Sequence, residues 1–347
     1  MSLSLRMKSL VAGAALIASC GQALAENVTL RFSNWVPPTH TLTVDMFQPW
    51  AKDVEEATEG RVKIQFLPAL GAPAAHFDLV RNGVADMAFA VHSYSPDRFP
   101  LTEFVELPFT AENAVVNSVA YWRTYEKFMA GANEHKGTHL LGLWVPGSYQ
   151  LFTKTGPETL DDLDGLRIRI PGTLVEEIST KLGMVSISSP LTEAYDQISR
   201  GIIDGMFQDY STVIDFNMTE HMPNFFTAPG GFSASSQFLV ISDRAWNKIS
   251  DADKAAIDAL SGEAMVKRFA QIWADRNTAS LAKLREAGLT QHMIEGESLA
   301  QLHAKLEPLA QEWVAKAGTK GVDAQAALDF YRAELDAVAE ELGQSRN

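Results

Sequence analysis

The chain carries the same short unit twice, and this repeat constrains its fold more than any other feature. Residues 77–89 read FDLVRNGVADMAF and residues 195–207 read YDQISRGIIDGMF. The copies share an aromatic residue, two Asp, two branched residues, a Gly and a final Phe. Each copy predicts a helix that stops at the Gly, where positive φ is often needed, and continues into a buried strand. The repeat therefore indicates two similar lobes, and we interpret the second Asp of each copy as a structural residue.

Strands alternating with helices of about ten residues predict an α/β fold with mixed, mostly parallel sheets. In open sheets of this kind, ligands bind outside the carboxyl ends of the strands. Two facing lobes would bring both sets of strand ends to one cleft. The segments that follow the two copies, residues 91–96 and 208–211, are then expected to line opposite walls of that cleft.

Apolar residues at helical spacing from about 252 to about 288 predict a nearly continuous helix, roughly 50 Å long. We interpret it as a lobe-spanning helix, with two helices broken near Ser261 and Gly262 as the alternative. The expected lobe I comprises residues 26–148 plus about 235–275. The expected lobe II comprises residues 149–234 plus about 276–347, and the signal peptide takes residues 1–25.

The first 25 residues have the pattern of an export signal. Arg6 and Lys8 precede an apolar run that is too short to span a bilayer, and Ala-Leu-Ala follows as a cleavage site. We expect the mature chain to begin at Glu26, although a lipobox-like sequence around Cys20 would instead leave that residue lipidated. Cys20 is the sole cysteine, so its removal excludes disulfides, thiol catalysis and cysteine metal sites. These features favour the periplasm.

The charge of the chain restricts its partners. The net charge is −14 at pH 7, and loss of the two basic residues of the signal makes it more negative still. Such a surface repels nucleic acid and anionic lipid. An anionic ligand must therefore be attracted by a local positive site.

Several motifs together resemble one protein family. FLPALG, RNGVADMAF and ELPF are followed by LDDLDGLRIRIPG, KLGMVSIS, EAYDQISRGIIDG and FLVISDRAW. In order and spacing, from residue 27 to about 309, this is similar to the DctP-type solute-binding proteins of TRAP transporters. The resemblance implies a two-lobed periplasmic binding protein of the Venus flytrap type, without cofactor or metal. It also implies capture of a small organic acid and delivery to membrane permease subunits driven by an ion gradient.

The resemblance further implies that Arg169 binds the carboxylate of the ligand. A guanidinium is always charged, and its planar fork matches a carboxylate with two parallel hydrogen bonds. Arg167 and Arg169 point to the same face of the predicted strand, so spacing alone leaves either possible. The family pattern selects Arg169, and Arg167 is expected at the surface or in a salt bridge.

Two departures from the family pattern bear on the ligand. Gln150 stands where many members have a further Arg, which favours a monocarboxylate over a dicarboxylate. Gln208 and Asp209 stand where many members have Asn and Pro. Asp209 would favour a hydroxyl or amine on the ligand if it faces the cleft, and capping of the following helix is the alternative.

Aromatic residues cluster in the expected cleft segments, which suits a ligand with an apolar or cyclic body. With Arg169, Gln150, Gln208 and Asp209, the predicted ligand-binding residues are Trp35, His40, Ser93, Tyr94, Tyr149, Tyr210 and Phe232. Trp144 and Phe207 are weaker candidates, which we expect to be core residues.

The sequence leaves two alternative functions to consider. A periplasmic enzyme is disfavoured because GxSxG, HExxH and a phosphate loop are missing from the sequence. His135 and His139 have Gly137 between them and make a poor metal site, so we expect them to face solvent. A ligand-binding input for a sensor would share the fold and the pocket, and neighbouring genes would separate it from transport.

Overall fold

The computed structural model describes residues 27–95 and 97–346. The predicted signal peptide, Cys20 and the expected mature start at Glu26 lie outside the described residues. Within the described ranges, no helix has both the length and the apolar character that crossing a membrane requires.

Strands and helices alternate along the described chain. The strands are β1 (Val28–Asn34), β2 (Val62–Pro68), β3 (Met87–Val91), β4 (Thr138–Trp144), β5 (Ser148–Thr153), β6 (Arg167–Ile170), β7 (Val185–Ser188), β8 (Gly205–Gln208), β9 (Asn224–Thr227), β10 (Ser233–Ala234), β11 (Gln237–Ser242) and β12 (Thr290–Met293). The α-helices are α1 (Gln48–Ala57), α2 (His76–Arg81), α3 (Ala114–Thr124), α4 (Thr173–Lys181), α5 (Ala194–Ser199), α6 (Tyr210–Asp215), α7 (Asp243–Trp246), α8 (Asp251–Ala259), α9 (Gly262–Glu286), α10 (Gly296–Leu306), α11 (Pro308–Gly318) and α12 (Ala324–Leu342).

The strands form two sheets, one for each lobe. The first has five strands in the order β2-β1-β3-β11-β4, with β1 parallel and β11 antiparallel to their neighbours. The second has the order β12-β9-β5-β8-β6-β7, and β10 pairs with β5 beside this path. There β6 runs parallel to β7 and β8, whereas β5 runs antiparallel to β8 and β9. The predicted two-lobed α/β fold with mixed sheets is confirmed, and the antiparallel pairs are those of β5 and β11.

The repeated unit forms the predicted helix, stop and strand in both lobes. Gly83 after α2 has φ 73° and Gly201 after α5 has φ 71°. Only a residue without Cβ adopts this left-handed conformation at little cost. Each Gly therefore ends its helix and turns the chain into the buried strand, β3 or β8.

The second Asp of each copy has the same role in both lobes. Asp86 accepts hydrogen bonds from the backbone N and Nε of Arg31 at 3.0 and 2.8 Å. Asp204 accepts the same two bonds from Arg167, also at 3.0 and 2.8 Å. The predicted structural role of these Asp residues is confirmed, and so is the salt bridge of Arg167. Each pair ties the strand of the repeat to a neighbouring parallel strand, β3 to β1 and β8 to β6.

The predicted continuous helix over residues 252–288 is wrong, and the alternative of a break near Ser261 is confirmed. Ser261 is extended, and Gly262 has φ 58°, so the helical path cannot continue through this pair. The second helix, α9, still spans about 37 Å at 1.5 Å per residue. It packs on α3 and β4 of the first lobe and on α6 of the second, and it is the predicted lobe-spanning helix.

Before the C-terminal helices α10 to α12, the chain crosses between the lobes at three places. The segment between β4 and β5 and the segment between β10 and β11 are extended connections, and α9 makes the third crossing. Ser235 and Ser236 form the second connection, where the chain leaves the sheet that contains β5 and enters the sheet that contains β3. The two extended connections are the expected hinge of a two-lobed binding protein.

The C-terminal helices differ in position from the sequence expectation. We expected residues 276–347 to accompany the second lobe, but α12 packs against α3 of the first lobe. Arg123 on α3 binds Glu334 and Glu341, and Trp313 on α11 donates its Nε1–H to Pro100 O at 2.9 Å. We therefore propose lobe boundaries that assign α11 and α12 to the first lobe.

Candidate functional site

A cleft with about 380 Å³ of space, part of it open to solvent, lies between the lobes. The segments after β3 and β8 reach it from opposite sides, as the repeat predicts, because the strand ends of both lobes face each other. Of the residues predicted from sequence, six line this cavity, namely Trp35, His40, Tyr94, Tyr149, Gln208 and Asp209.

Arg169 is the one guanidinium beside this cavity that is buried without an acidic partner among the described residues. It lies on β6 with 1% of its surface exposed. Its Nε donates to Ser189 O at 2.9 Å and its Nη2 donates to the Tyr94 hydroxyl at 3.3 Å. A buried charge that lacks an opposite charge is costly. The arrangement therefore favours an anionic partner supplied from outside the chain.

Tyr94 connects the two lobes at this point. It follows β3 in the first lobe, whereas Arg169 and Leu191 belong to the second. The Tyr94 hydroxyl oxygen accepts from Arg169 Nη2 and from the backbone N of Leu191 at 3.2 Å. With both lone pairs used, the hydroxyl hydrogen is left to donate. Tyr94 and Arg169 can therefore both donate to one anionic group.

Gln208 and Tyr149 add polarity to the same cavity. Gln208 Oε1 accepts from the backbone N of Asp209 at 3.2 Å, which leaves its amide NH₂ as the donor end. Tyr149 is buried, and this burial raises the pKa of its hydroxyl, which is bonded to Ser235. Both residues therefore present neutral groups at neutral pH.

Asp209 lines the cavity, but its carboxylate is already occupied. It accepts from Thr212 N at 3.0 Å, from Thr212 Oγ1 at 2.7 Å and from Ser211 Oγ at 2.8 Å. The alternative considered from sequence, capping of α6, is thus confirmed. Burial raises the pKa of Asp209, and these hydrogen bonds oppose that effect. The ligand contact of Asp209 stays a prediction.

His40 belongs to a second cluster that joins the lobes. Its Nε2 lies 4.0 Å from Asp215 on α6, and Asp215 binds Arg276 on α9 at 2.6 Å. Thr41 also donates to Asp215 at 3.4 Å. Burial lowers the pKa of His40 to about 4, with Asp215 opposing the effect and Arg276 adding to it. The imidazole is therefore neutral at neutral pH, and its Nδ1 accepts from Leu42 N.

Residues 32–317 match the family model of the bacterial extracellular solute-binding proteins, family 7, known as DctP. The chain belongs to the DctP family. The resemblance that LRIRIPG and its companion motifs indicate is thereby confirmed, and the chain is a TRAP solute-binding protein. TsaT of Comamonas testosteroni, described as an outer membrane transporter protein, is 32% identical over 330 residues, which are 93% of this chain and 97% of that protein.

Two solved DctP-type structures share this fold and part of the sequence. A TRAP periplasmic solute-binding protein of Bordetella bronchiseptica, with bound (R)- and (S)-mandelate, is 32% identical with a TM-score of 0.87. The match covers 90% of this chain and 99% of that one. A marine metagenome TRAP protein specific for aromatic acid ligands, in complex with metahydroxyphenylacetate, is 25% identical with a TM-score of 0.83. That match covers 89% of this chain and 99% of the other.

Five predicted ligand-binding residues do not line the main cavity. One is Arg169, which lies beside it and is connected to it through the Tyr94 hydroxyl. Ser93 lines a smaller adjoining cavity with Thr173 and Leu174 of the other lobe. Gln150 is fully buried and bonded to Ser148 Oγ at 3.0 Å. Two further aromatic residues lie elsewhere, Tyr210 in a separate surface cavity and Phe232 against Phe207 in the core. Their ligand contacts stay predictions.

Several residues that line the interlobe cavity were not identified from the sequence. They are Leu191, Ser235, Gln237 and Trp273, together with further apolar neighbours. Trp273 belongs to the apolar stripe of α9, so its periodicity indicated only core packing. Ser235 and Gln237 flank the crossing into β11, a position that no local motif marks. Trp144 and Phe207 are fully buried, as expected.

The histidine pair is placed differently from expectation. His135 was expected to face solvent, but it is 3% exposed, and its Nε2 lies 2.9 Å from Nε2 of His92. The reason is a buried polar network, in which His92 Nδ1 contacts Ser236 Oγ at 2.6 Å. His139 is partly exposed and stacks on Trp246. Within the described ranges, no cluster of His, Cys, Asp and Glu could hold a metal ion.

Proposed function

We propose that the chain captures a small organic acid with one carboxylate and an apolar or cyclic body in its interlobe cavity. Capture takes place in the periplasm, without conversion of the acid. The loaded protein then delivers it to the permease subunits of a TRAP transporter. Closure of the two lobes around the ligand provides the two states that such a carrier needs.

The observation that carries this proposal is the buried Arg169 without an acidic partner among the described residues. A carboxylate would supply the missing charge and accept two parallel hydrogen bonds from the guanidinium. Because Arg169 and Tyr94 come from different lobes, a ligand that binds both stabilises the closed state. Gln150 in place of a second Arg supports a single carboxylate, since it provides no further charge.

The walls of the cavity support an aromatic or cyclic body. Trp35 stacks on Phe89 with ring centroids 5.3 Å apart, and both rings line the cavity. Trp273 lines it from the lobe-spanning helix. Aromatic faces of this kind enclose a flat ligand with favourable stacking. The mandelate and metahydroxyphenylacetate held by the two similar structures have such a body and one carboxylate.

A thermal-shift screen tests the proposal, because a ligand that binds only the native state raises the melting temperature. The screen compares benzoate, mandelate and phenylacetate with the dicarboxylates succinate and malate. Benzamide serves as an uncharged control that keeps the aromatic body. We expect shifts with aromatic monocarboxylates and none with benzamide. Shifts with dicarboxylates alone would contradict the single-carboxylate site, and consumption of an acid during incubation would point to an enzyme.

A further inference from the structure

Two polar atoms of the residues that line the interlobe cavity have no partner among the described residues. Gln237 Oε1 and Trp273 Nε1 are buried and unbonded. Gln237 begins β11 directly after the hinge crossing, and its backbone pairs with Val91 beside the cavity. Trp273 lies on α9 with its ring at 6.2 Å from the His40 ring. A buried donor or acceptor that stays unbonded costs free energy, so both atoms are suited to a ligand group.

We propose that Gln237 and Trp273 form a subsite for a hydroxyl group of the ligand, so that this protein selects hydroxylated aromatic acids. The inference rests on the proposed function, because it assumes that the carboxylate of the same ligand binds Arg169. The inference goes further than the proposed function because it assigns a second polar group to the ligand and names the residues that recognise that group.

The chemistry of the two free atoms selects a hydroxyl. Gln237 Oε1 only accepts hydrogen bonds, whereas the Trp273 indole N–H only donates. A carbonyl or ether oxygen on the ligand would satisfy Trp273 and leave Gln237 unbonded. An ammonium would satisfy Gln237 and leave Trp273 unbonded. A hydroxyl does both, since its hydrogen is donated to Gln237 while its oxygen accepts from Trp273.

Two other polar groups of the cavity are already bonded within the protein. Asp209 already accepts three hydrogen bonds from Ser211 and Thr212, and Tyr149 is bonded to Ser235. Sites built to bond a substrate hydroxyl discriminate strongly against analogues that lack it, because their buried polar groups are then left unpaired. A matched pair of acids that differ only by a hydroxyl should therefore differ clearly in affinity.

Calorimetry with two matched pairs tests the subsite. Benzoate against 3-hydroxybenzoate places the hydroxyl on the ring, and phenylacetate against mandelate places it next to the carboxylate. In one pair or the other, we expect the hydroxylated acid to bind at least about tenfold more tightly. The pair that shows the preference identifies where the hydroxyl lies on the ligand.

Three variants connect the preference to the two residues. Trp273→Phe and Gln237→Leu each remove one partner, so the preference should fall below about threefold. The readout is the ratio of the two affinities within a pair, because this ratio cancels any effect of a substitution on binding of the shared aromatic body. Trp144→Phe is the matched control, because the Trp144 indole N–H is also buried and unbonded but belongs to the core outside the cavity. This control should retain the full preference.

The outcomes separate this inference from the proposed function. Equal binding within both pairs overturns the hydroxyl subsite and leaves capture of an aromatic acid standing. Loss of the preference in Trp144→Phe also overturns it, because that change lies outside the cavity. If none of the four acids binds, the proposed function itself is contradicted.

Discussion

At the scale of single residues, buried ionisable groups near the hinge have strongly perturbed protonation. Glu106 is 2% exposed and accepts from Ser236 N at 2.8 Å, directly at the crossing into β11. Burial raises the pKa of Glu106 to about 8, because a charged carboxylate is disfavoured away from water. The folded protein therefore holds this residue protonated at neutral pH.

Glu106→Gln tests this protonation through the free energy of unfolding. The raised pKa means that Glu106 stabilises the fold below pH 4.5, and that this stabilisation is lost as pH rises towards about 8. The neutral Gln variant lacks this dependence. In urea unfolding it should match the wild type near pH 4 and exceed it by a few kcal/mol near pH 9.

Glu263→Gln tests a pKa shift in the opposite direction. Arg123 and Lys267 lower the pKa of Glu263 to about 2, so its stabilisation is present above pH 4.5 and lost as pH falls towards 2. Because the group is partly exposed, the effect should be below about 1 kcal/mol. For Glu106, the raised pKa would be contradicted if the free energies of unfolding of the wild type and of Glu106→Gln changed with pH in parallel.

The residue scale also shows what sequence could predict about the site. Arg169, Tyr94 and Gln208 lie where the repeat and the family motif indicate, because they lie near the carboxyl ends of strands, which must face the cleft. Trp273 and Gln237 could not be found in this way. Their polar atoms matter only because a distant helix and a hinge strand bring them to one cavity, and neither segment carries a local signal for that meeting.

At the scale of secondary-structure elements, the start of α4 controls how closely the lobes approach. Gly172 precedes α4, and a Cβ built on it would lie 2.5 Å from the carbonyl oxygen of Ser93 in the other lobe. Its backbone is extended, so the Gly is required by space rather than by conformation. The Gly of LRIRIPG thus permits the close contact of two backbones that accompanies closure.

Gly172→Ala should obstruct closure without unfolding either lobe. The added methyl group collides with Ser93 only when the lobes are in contact. We expect calorimetry to show at least about tenfold weaker binding of the acid identified by the thermal screen, with an unchanged melting temperature of the free protein. Gly318→Ala on α11, where a Cβ meets nothing within 4 Å, is the control and should bind normally. Full affinity of Gly172→Ala would show that closure does not require this contact.

Element positions could be predicted wherever the pattern is local. The helix, Gly stop and strand of each repeat are local, and they form as expected in both lobes. The break at Ser261 was harder, because apolar periodicity continues across it and the extended Ser261 and positive φ of Gly262 are the only interruption. The docking of α12 on α3 depends on long-range contacts such as Tyr331 with Asn117, which periodicity does not encode.

At the scale of the whole molecule, the lobes meet through side chains that surround the cavity. Arg169 binds Tyr94 across the cleft on one side, and Asp215 binds Thr41 on the other. In the proposed function, the extended connections between the lobes allow them to move as units. A ligand that contacts both lobes shifts this equilibrium towards closure in proportion to its preference for the closed state. The proposed function therefore makes capture of the ligand and closure of the lobes a single event.

The central claim, that Arg169 holds the carboxylate of the ligand, is tested most directly by calorimetry of Arg169→Gln with an aromatic monocarboxylate. Arg167→Gln is the matched control, because Arg167 lies two residues away on the same strand and is already paired with Asp204. We expect Arg169→Gln to weaken binding at least about thirtyfold, or about 2 kcal/mol, and Arg167→Gln to leave affinity within about threefold. Near-native affinity of Arg169→Gln would contradict the claim.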